Sequence, residues 1–298
     1  MFQFKKIVFT AVLSFVFFAG NAQSLKTQEH ELFVLFEKLK FSNNDAVRDS
    51  VNALIVSGVR TFLETEDSYD FDFKELKMLG NIRSDDQKLR IYTWNTMDDD
   101  GDFHYFGFLQ YYVRKLKKHV ALELKDKSAE IQNPEFQEFG IQNWYGALYY
   151  KILERKTNYG KVYTLFGWDG NDNLSNKKLI ETLTFDKAGT AKFGVPILEH
   201  EKKVIKNRII LEFGEQFRML LHYDKNVKMI VFDHLAPPKP ELEGQFQCYG
   251  PDSSFDGLFF ESGLWKFYSN LNITNSDGEN PTVTKPKSNT INPNKKTK

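Results

Sequence analysis

This 298-residue chain sets 40 Lys and Arg against 40 Asp and Glu and carries no net charge. That balance excludes the basic footprint of a nucleic-acid binder or of a protein held on an anionic membrane by charge. Its one cysteine, Cys248, excludes an internal disulfide. Apolar burial must therefore hold the fold together, and the length suffices for one large core or two small ones.

Lys5 and Lys6 head an apolar run, Ile7 to Ala19, broken only by Thr10 and Ser14, and Gly20-Asn21-Ala22 puts small residues before Gln23. This three-part pattern predicts a secretory signal peptide over 1–22. A membrane-spanning helix needs about twenty apolar residues, more than this run supplies. The mature chain is expected to be exported and, after cleavage, not membrane-spanning. Cys248 is not at the cut, which excludes a lipoprotein anchor there.

Leu32, Leu35, Phe36 and Leu39 recur at helical spacing within 28–40. Val47, Val51, Leu54, Ile55, Val59, Phe62 and Leu63 do so within 45–64, and Ser42-Asn43-Asn44-Asp45 between them supplies turn and cap. An α-hairpin is predicted over 23–70. From 71 the pattern changes to short alternating runs. Leu89 to Thr96 and Phe103 to Val113 flank Asp98-Asp99-Asp100-Gly101-Asp102 as a β-hairpin. Ala147 to Lys156 and Lys161 to Trp168 flank Thr157-Asn158-Tyr159-Gly160 as another.

Over 208–233, three-residue loops at Gly214-Glu215-Gln216 and Asp224-Lys225-Asn226 predict a three-stranded meander. Phe213 then faces Phe217, Leu211 faces Met219 and Ile209 faces Leu221. Across the second loop Tyr223 faces Val227, Leu221 faces Met229 and Met219 faces Val231. All share one side of the sheet, and Glu212 faces Arg218 on the other. Leu258 to Phe260 and Leu264 to Tyr268 form a last hairpin around Ser262-Gly263. The fold class predicted is α+β: an N-terminal α-hairpin followed by a large, mainly antiparallel β-sheet meander over 71–271, sandwich- or open-barrel-like. Asn, Thr, Pro, Ser and Lys fill 272–298 with almost no apolar residues, the composition of a disordered polar tail.

Catalytic signatures are missing: no G-x-S-x-G, H-E-x-x-H, P-loop or G-x-G-x-x-G occurs, and the six histidines are scattered. No cofactor is implied. Asp233-His234, before Pro237-Pro238, offers an acid–base pair with no visible nucleophile; a structural histidine is the alternative. Asp169 is a further carboxylate for such a site. Asp98, Asp100 and Asp102 crowd oxygen donors onto one turn and are the metal candidates, for calcium. The spacing fails as an EF-hand, with Thr96 at the first place and Gly107 at the last, and a hydrated hairpin tip is the alternative. Trp94, Trp144, Trp168 and Trp265 lie near strand ends among many tyrosines. Trp94, Trp168 and Tyr249 are the candidate binding residues, able to stack on sugar or peptide unless they pack the core.

Arg90-Ile91-Tyr92-Thr93-Trp94-Asn95-Thr96, Leu165-Phe166-Gly167-Trp168-Asp169-Gly170-Asn171, Phe193-Gly194-Val195-Pro196, Ile230-Val231-Phe232-Asp233-His234-Leu235-Ala236-Pro237 and Tyr249-Gly250-Pro251-Asp252 form a set of blocks over about 88–268. This set resembles uncharacterised exported proteins of Bacteroidetes-type bacteria. The resemblance implies no assigned activity and brings no catalytic residue. The function expected is that of an exported envelope protein, in the periplasm with an extracellular or outer-membrane-associated place as the alternative, that binds another envelope protein or a glycan or peptide ligand without catalysis. The alternative is a hydrolase-type periplasmic enzyme built around Asp233 and His234. A membrane β-barrel is disfavoured by the helices, the charged strand faces and the polar ending.

Overall fold

The computed structural model describes residues 25–274 and 282–284. The expected signal peptide lies outside them. α1 covers 25–40 and α2 covers Asp45–Glu64. The break falls at the polar turn because Asn44 takes an extended backbone and its side-chain oxygen accepts the Val47 N–H at 3.0 Å, an N-cap. Leu32, Phe36 and Leu39 of α1 and Val51, Ile55, Val59 and Phe62 of α2 bury one continuous stripe. No helix among the described residues is long and apolar enough to cross a membrane.

The strands form three stacked sheets, nearly all antiparallel. The first has the order β1 (Gly80–Arg83), β2 (Leu89–Met97), β3 (Phe103–Val113), β4 (Lys118–Lys125). The second has the order β11 (Arg208–Gly214), β7 (Ser175–Phe185), β6 (Gly160–Asp169), β5 (Leu148–Thr157), with β8 (Ala191–Phe193) paired to β7. The third runs β10 (Val204–Lys206), β9 (Leu198–His200), β15 (Leu264–Tyr268), β14 (Gly250–Glu261), β13 (Met229–Ala236), β12 (Leu221–Asp224). One pairing, β15 with β9, is parallel.

Side-chain alternation sorts the layers. Tyr92, Trp94 and Phe108 face the helices, while Ile91, Leu89 and Leu109 face the second sheet. The second sheet is buried on both sides: Tyr163 and Leu165 meet the first sheet, and Val162 and Phe166 meet Phe232, Leu258 and Trp265 of the third. This is why β6 reads as a near-continuous apolar run. The order is helices, sheet, sheet, sheet.

The predicted meander over 208–233 is not formed. β11 pairs with β7 of the second sheet, and Glu212 lies opposite Lys177, not Arg218. The chain then crosses between sheets through 215–220 and enters the third sheet as β12. There Leu221 pairs with Phe232, Tyr223 with Ile230 and Asp224 with Met229, so the loop is four residues rather than three. Ile209, Leu211 and Phe213 do meet Met219 and Leu221, but face to face across one core and not side by side. Period-two alternation is the same for both arrangements.

Within 272–298, expected to be disordered, Asn272–Thr274 (β16) pairs antiparallel with Thr282–Thr284 (β17); the rest lies outside the described residues.

One charged pair sits inside the second sheet. Arg208 and Glu181 are cross-strand partners, both side chains fully buried, with Arg208 Nε donating to Glu181 Oε1 at 2.7 Å. The Tyr149 hydroxyl donates to Glu181 Oε2 and accepts from Trp144 Nε1 at 2.9 Å. Arg208 Nη1 donates to the carbonyls of Pro134 and Gln137, and its guanidinium lies 4.3 Å from the centre of the Phe139 ring.

Candidate functional site

An open groove of about 920 Å³ runs between α2 and one end of the first sheet. Asp49, Asn52, Ala53, Val56 and Arg60 line it from the helix, spaced so that one face of α2 presents them all. The sheet contributes Thr96 from β2, His104 and Phe106 from β3, and Glu123 and Lys125 from β4. Cross-strand pairing sets these side by side: Thr96 opposite His104, Phe106 opposite Lys125.

Asn52 is 5% exposed although it is polar. Its Oδ1 accepts from Trp94 Nε1 at 2.7 Å. The indole is a donor only, so the amide oxygen must face it. The amide nitrogen has no protein partner among the described residues and is left to the groove that Asn52 lines. Trp94 is the opposite of a displayed ring. It is 2% exposed, flanked by Phe106 at 5.7 Å and Phe108 at 6.2 Å in near-parallel stacks and by the edge of Phe36. The expectation that Trp94 stacks on a ligand is corrected: it lies in the core behind the groove, and Phe106 is the ring that lines it.

Glu123 receives both the Arg60 guanidinium and the Lys125 ammonium. Burial pushes its carboxyl pKa up, but the two cations outweigh burial and hold it below the usual carboxylate value. Asp126 is occupied by the backbone N–H groups of Tyr105, Ser128 and Gly146. Asp49 is exposed and makes no ion pair among the described residues.

The acidic tip borders the same end of the sheet. Asp98 Oδ1 accepts the N–H groups of Asp100 and Asp102 at 3.1 and 2.8 Å, and Oδ2 meets His104 Nε2 at 2.9 Å. His104, then the Asp102 N–H, hold the Asp98 pKa below its ordinary value. Asp99 pairs with Arg48. Among the described residues no three His, Cys, Asp or Glu side chains gather into a metal site. Both Asp98 carboxylate oxygens are thus taken up by the turn's own N–H groups and by His104. Gly101 has φ +94°, which an L residue resists, and a Cβ there would strike the Asn173 side chain.

The other aromatic candidates lie elsewhere. Trp168, on β6, is half-buried with its plane across Phe103 at 5.6 Å. Tyr249 leans on Phe246 at 5.1 Å, and its hydroxyl accepts the Gly244 N–H at 3.0 Å. Trp94 is on the first sheet, Trp168 on the second, and Tyr249 in the loop before β14 with its carbonyl accepting the Gly214 N–H of β11, and none of the three is in ring contact with another. Trp144 and Trp265 are fully buried.

Asp233 and His234 do not act as a pair. Asp233 Oδ2 accepts the Leu220 N–H at 2.7 Å, while His234 Nδ1 meets Asp256 Oδ2 at 2.7 Å. Successive strand residues point to opposite faces, and a register shift separates Asp233 from Leu235. Asp256 is 3% exposed, and its other oxygen accepts the Asn270 N–H at 3.1 Å. The β13–β14 register, which sets Asp256 opposite Phe232, was the signal for this partner. No hydroxyl or thiol hydrogen-bonds His234 among the described residues. Asp169 is also spoken for: it accepts the Tyr105 hydroxyl and the Asn171 N–H, each at 2.8 Å, and burial raises its pKa.

His200 and His234 respond to pH with opposite signs. Burial, aided by Lys206, pushes His200 from 6.5 down to about 4, beside Phe267 at 5.1 Å. The unfolded chain binds this proton below about pH 6.5 and the folded chain only near pH 4, so His200 costs about 3 kcal/mol of stability as pH falls through that window. His200→Phe is expected to flatten this loss, read as the difference in unfolding free energy between variant and parent from pH 7 to pH 4. For His234, burial opposes the charge, but the Asp256 hydrogen bond and the negative charges of Asp256, Asp252 and Glu201 outweigh it and raise the pKa. Its stabilisation is complete below the ordinary histidine pKa and fades as pH rises through the raised one.

No family model, curated protein or solved structure matches this chain.

Proposed function

We propose that the protein is an exported envelope protein that binds a ligand without catalysis, in the groove beneath α2. The observation that carries this reading is Asn52: a nearly buried amide, fixed at its oxygen by Trp94, whose nitrogen is left to the groove. Held in orientation by the indole and open to the groove rather than sealed in the core, this nitrogen is a pre-positioned donor that a ligand acceptor can reach. The groove's other carboxylates are already engaged: Glu123 by two cations and Asp126 by backbone N–H donors. Its volume is in the range of ligand sites.

Ala53 is exposed and lines the groove from α2, so Ala53→Trp fills the space without touching the core. Chain 23–298 and this variant, immobilised side by side, are offered an extract of the native envelope. A component retained by the parent and not by Ala53→Trp supports the groove; equal retention, or none, removes it. Edman sequencing of the native protein from the periplasmic fraction is expected to begin at Gln23.

A second reading has one specific support. Asp256 orients His234 through Nδ1, the side chain is 37% exposed, and such a carboxylate-held imidazole is fit for acid–base work. Hydrolase turnover lost in His234→Ala and kept in Ala53→Trp would favour it.

A further inference from the structure

We infer that the ligand of the α2 groove is a neutral oligosaccharide, an inference that rests on the binding reading above. Charge is the first argument. Asp49, Glu123 and Asp126 are balanced by Arg60, Lys125 and Lys127 along the walls. Arg60 and Lys125 are already bound to Glu123 and Lys127 to Glu130, so none of the three is a free clamp for a phosphate or carboxylate. Glu123, so neutralised, offers none to an amine. Asp49, exposed and without an ion pair among the described residues, is the one lining carboxylate left to a ligand, and a single exposed charge adds little affinity for an ion while it accepts readily from a hydroxyl.

Hydrogen-bonding capacity is the second. The Asn52 nitrogen, the Asp49 carboxylate, the Ser57 and Thr96 hydroxyls and the Gln142 amide place donors and acceptors at intervals along both walls. A chain of hydroxyls, each donor and acceptor at once, matches such a lining without leaving a group unpaired. A peptide carries its donors and acceptors on one backbone line and takes its anchorage from an exposed strand edge or deep apolar holes; this groove has a helix for one wall and a polar lining.

The third is the ring. Phe106 borders the groove and is backed by Trp94 at 5.7 Å with planes 22° apart, and Trp94 in turn is fixed by Asn52. A rigid aromatic surface beside planar polar side chains receives the C–H face of a sugar ring while its hydroxyls meet the walls. The groove's volume of about 920 Å³ has room for several linked sugar units rather than one.

The test is titration calorimetry of chain 23–298 with maltohexaose, cellohexaose, xylohexaose and chitohexaose, alongside polygalacturonic hexamer and a basic and an acidic hexapeptide. Saturable binding of at least one neutral hexasaccharide is expected. It should vanish in Ala53→Trp and weaken at least tenfold in Phe106→Leu, which keeps an apolar side chain over Trp94; circular dichroism checks that both variants are folded. Saturable, Ala53→Trp-sensitive binding of only a charged hexamer or a peptide overturns the ligand class and leaves the groove standing. No binding by any neutral sugar, with Ala53→Trp still losing an envelope component, does the same. Failure of both measurements overturns the binding reading as well.

Discussion

Glu181→Gln is expected to destabilise the fold by about 3–5 kcal/mol, because it removes the counter-charge of an arginine that has no route to water. Arg208 and Glu181 are both fully buried in the middle sheet of three. In the variant the guanidinium keeps its bonds to the Pro134 and Gln137 carbonyls but loses its anion, and the amide disrupts what the Tyr149 hydroxyl donates into. Urea unfolding should show a lower midpoint with an unchanged slope, the mark of lost stability without a changed denatured state. Replacing both partners, Glu181→Met with Arg208→Leu, should recover most of the loss, since apolar groups of similar volume need no counter-charge. A Glu181→Gln midpoint equal to the parent's would show that the pair contributes nothing.

Trp265→Ala ranks with it, at about 3–5 kcal/mol, for a different reason. Trp265 is fully buried on β15 of the third sheet, and its indole N–H crosses to the Thr164 hydroxyl of the second at 2.9 Å. Arg155 lies 4.8 Å over its ring, and the edges of Phe260 and Tyr223 complete the enclosure. Alanine leaves a cavity between two sheets that cannot close without moving both. Trp265→Phe separates the terms: it refills most of the volume but leaves the Thr164 hydroxyl without its donor, so about 1–3 kcal/mol of the loss should persist. Thermal or urea unfolding of the three proteins reads this order directly, and an alanine variant no weaker than the phenylalanine one would contradict it.

Where periodicity speaks for itself, the chain is legible. The α-hairpin, its cap within Ser42–Asp45, and the hairpins at 89–113, 148–169 and 258–268 follow from spacing and turn residues, while the first half of β14, from Gly250, does not. The meander over 208–233 failed on a physical ambiguity. Alternation tells which side chains share an interior, not whether they approach it from one sheet or two, and Leu211 and Met219 share theirs from opposite walls. The same limit governs the sites. Asp233 and His234 adjoin in sequence and are parted by the pleat, whereas the imidazole's true neighbour, Asp256, lies one strand over. Trp94 was visible as an unusual ring at a strand end, but its meaning depended on Asn52, 42 residues away on a helix, which carries no local signature.

The passage through 215–220 has a kinetic consequence. Strands β7 and β11 belong to the middle sheet, yet β9 and β10, between them in the chain, belong to the outer one. The two sheets are thus interleaved: the pairing of β7 with β11 closes a loop that carries β9 and β10, and that of β9 with β15 closes one that carries β11. Closure over such long sequence separations makes for a slow, late barrier. Excising either sheet as an autonomous fragment should yield no independently folding piece.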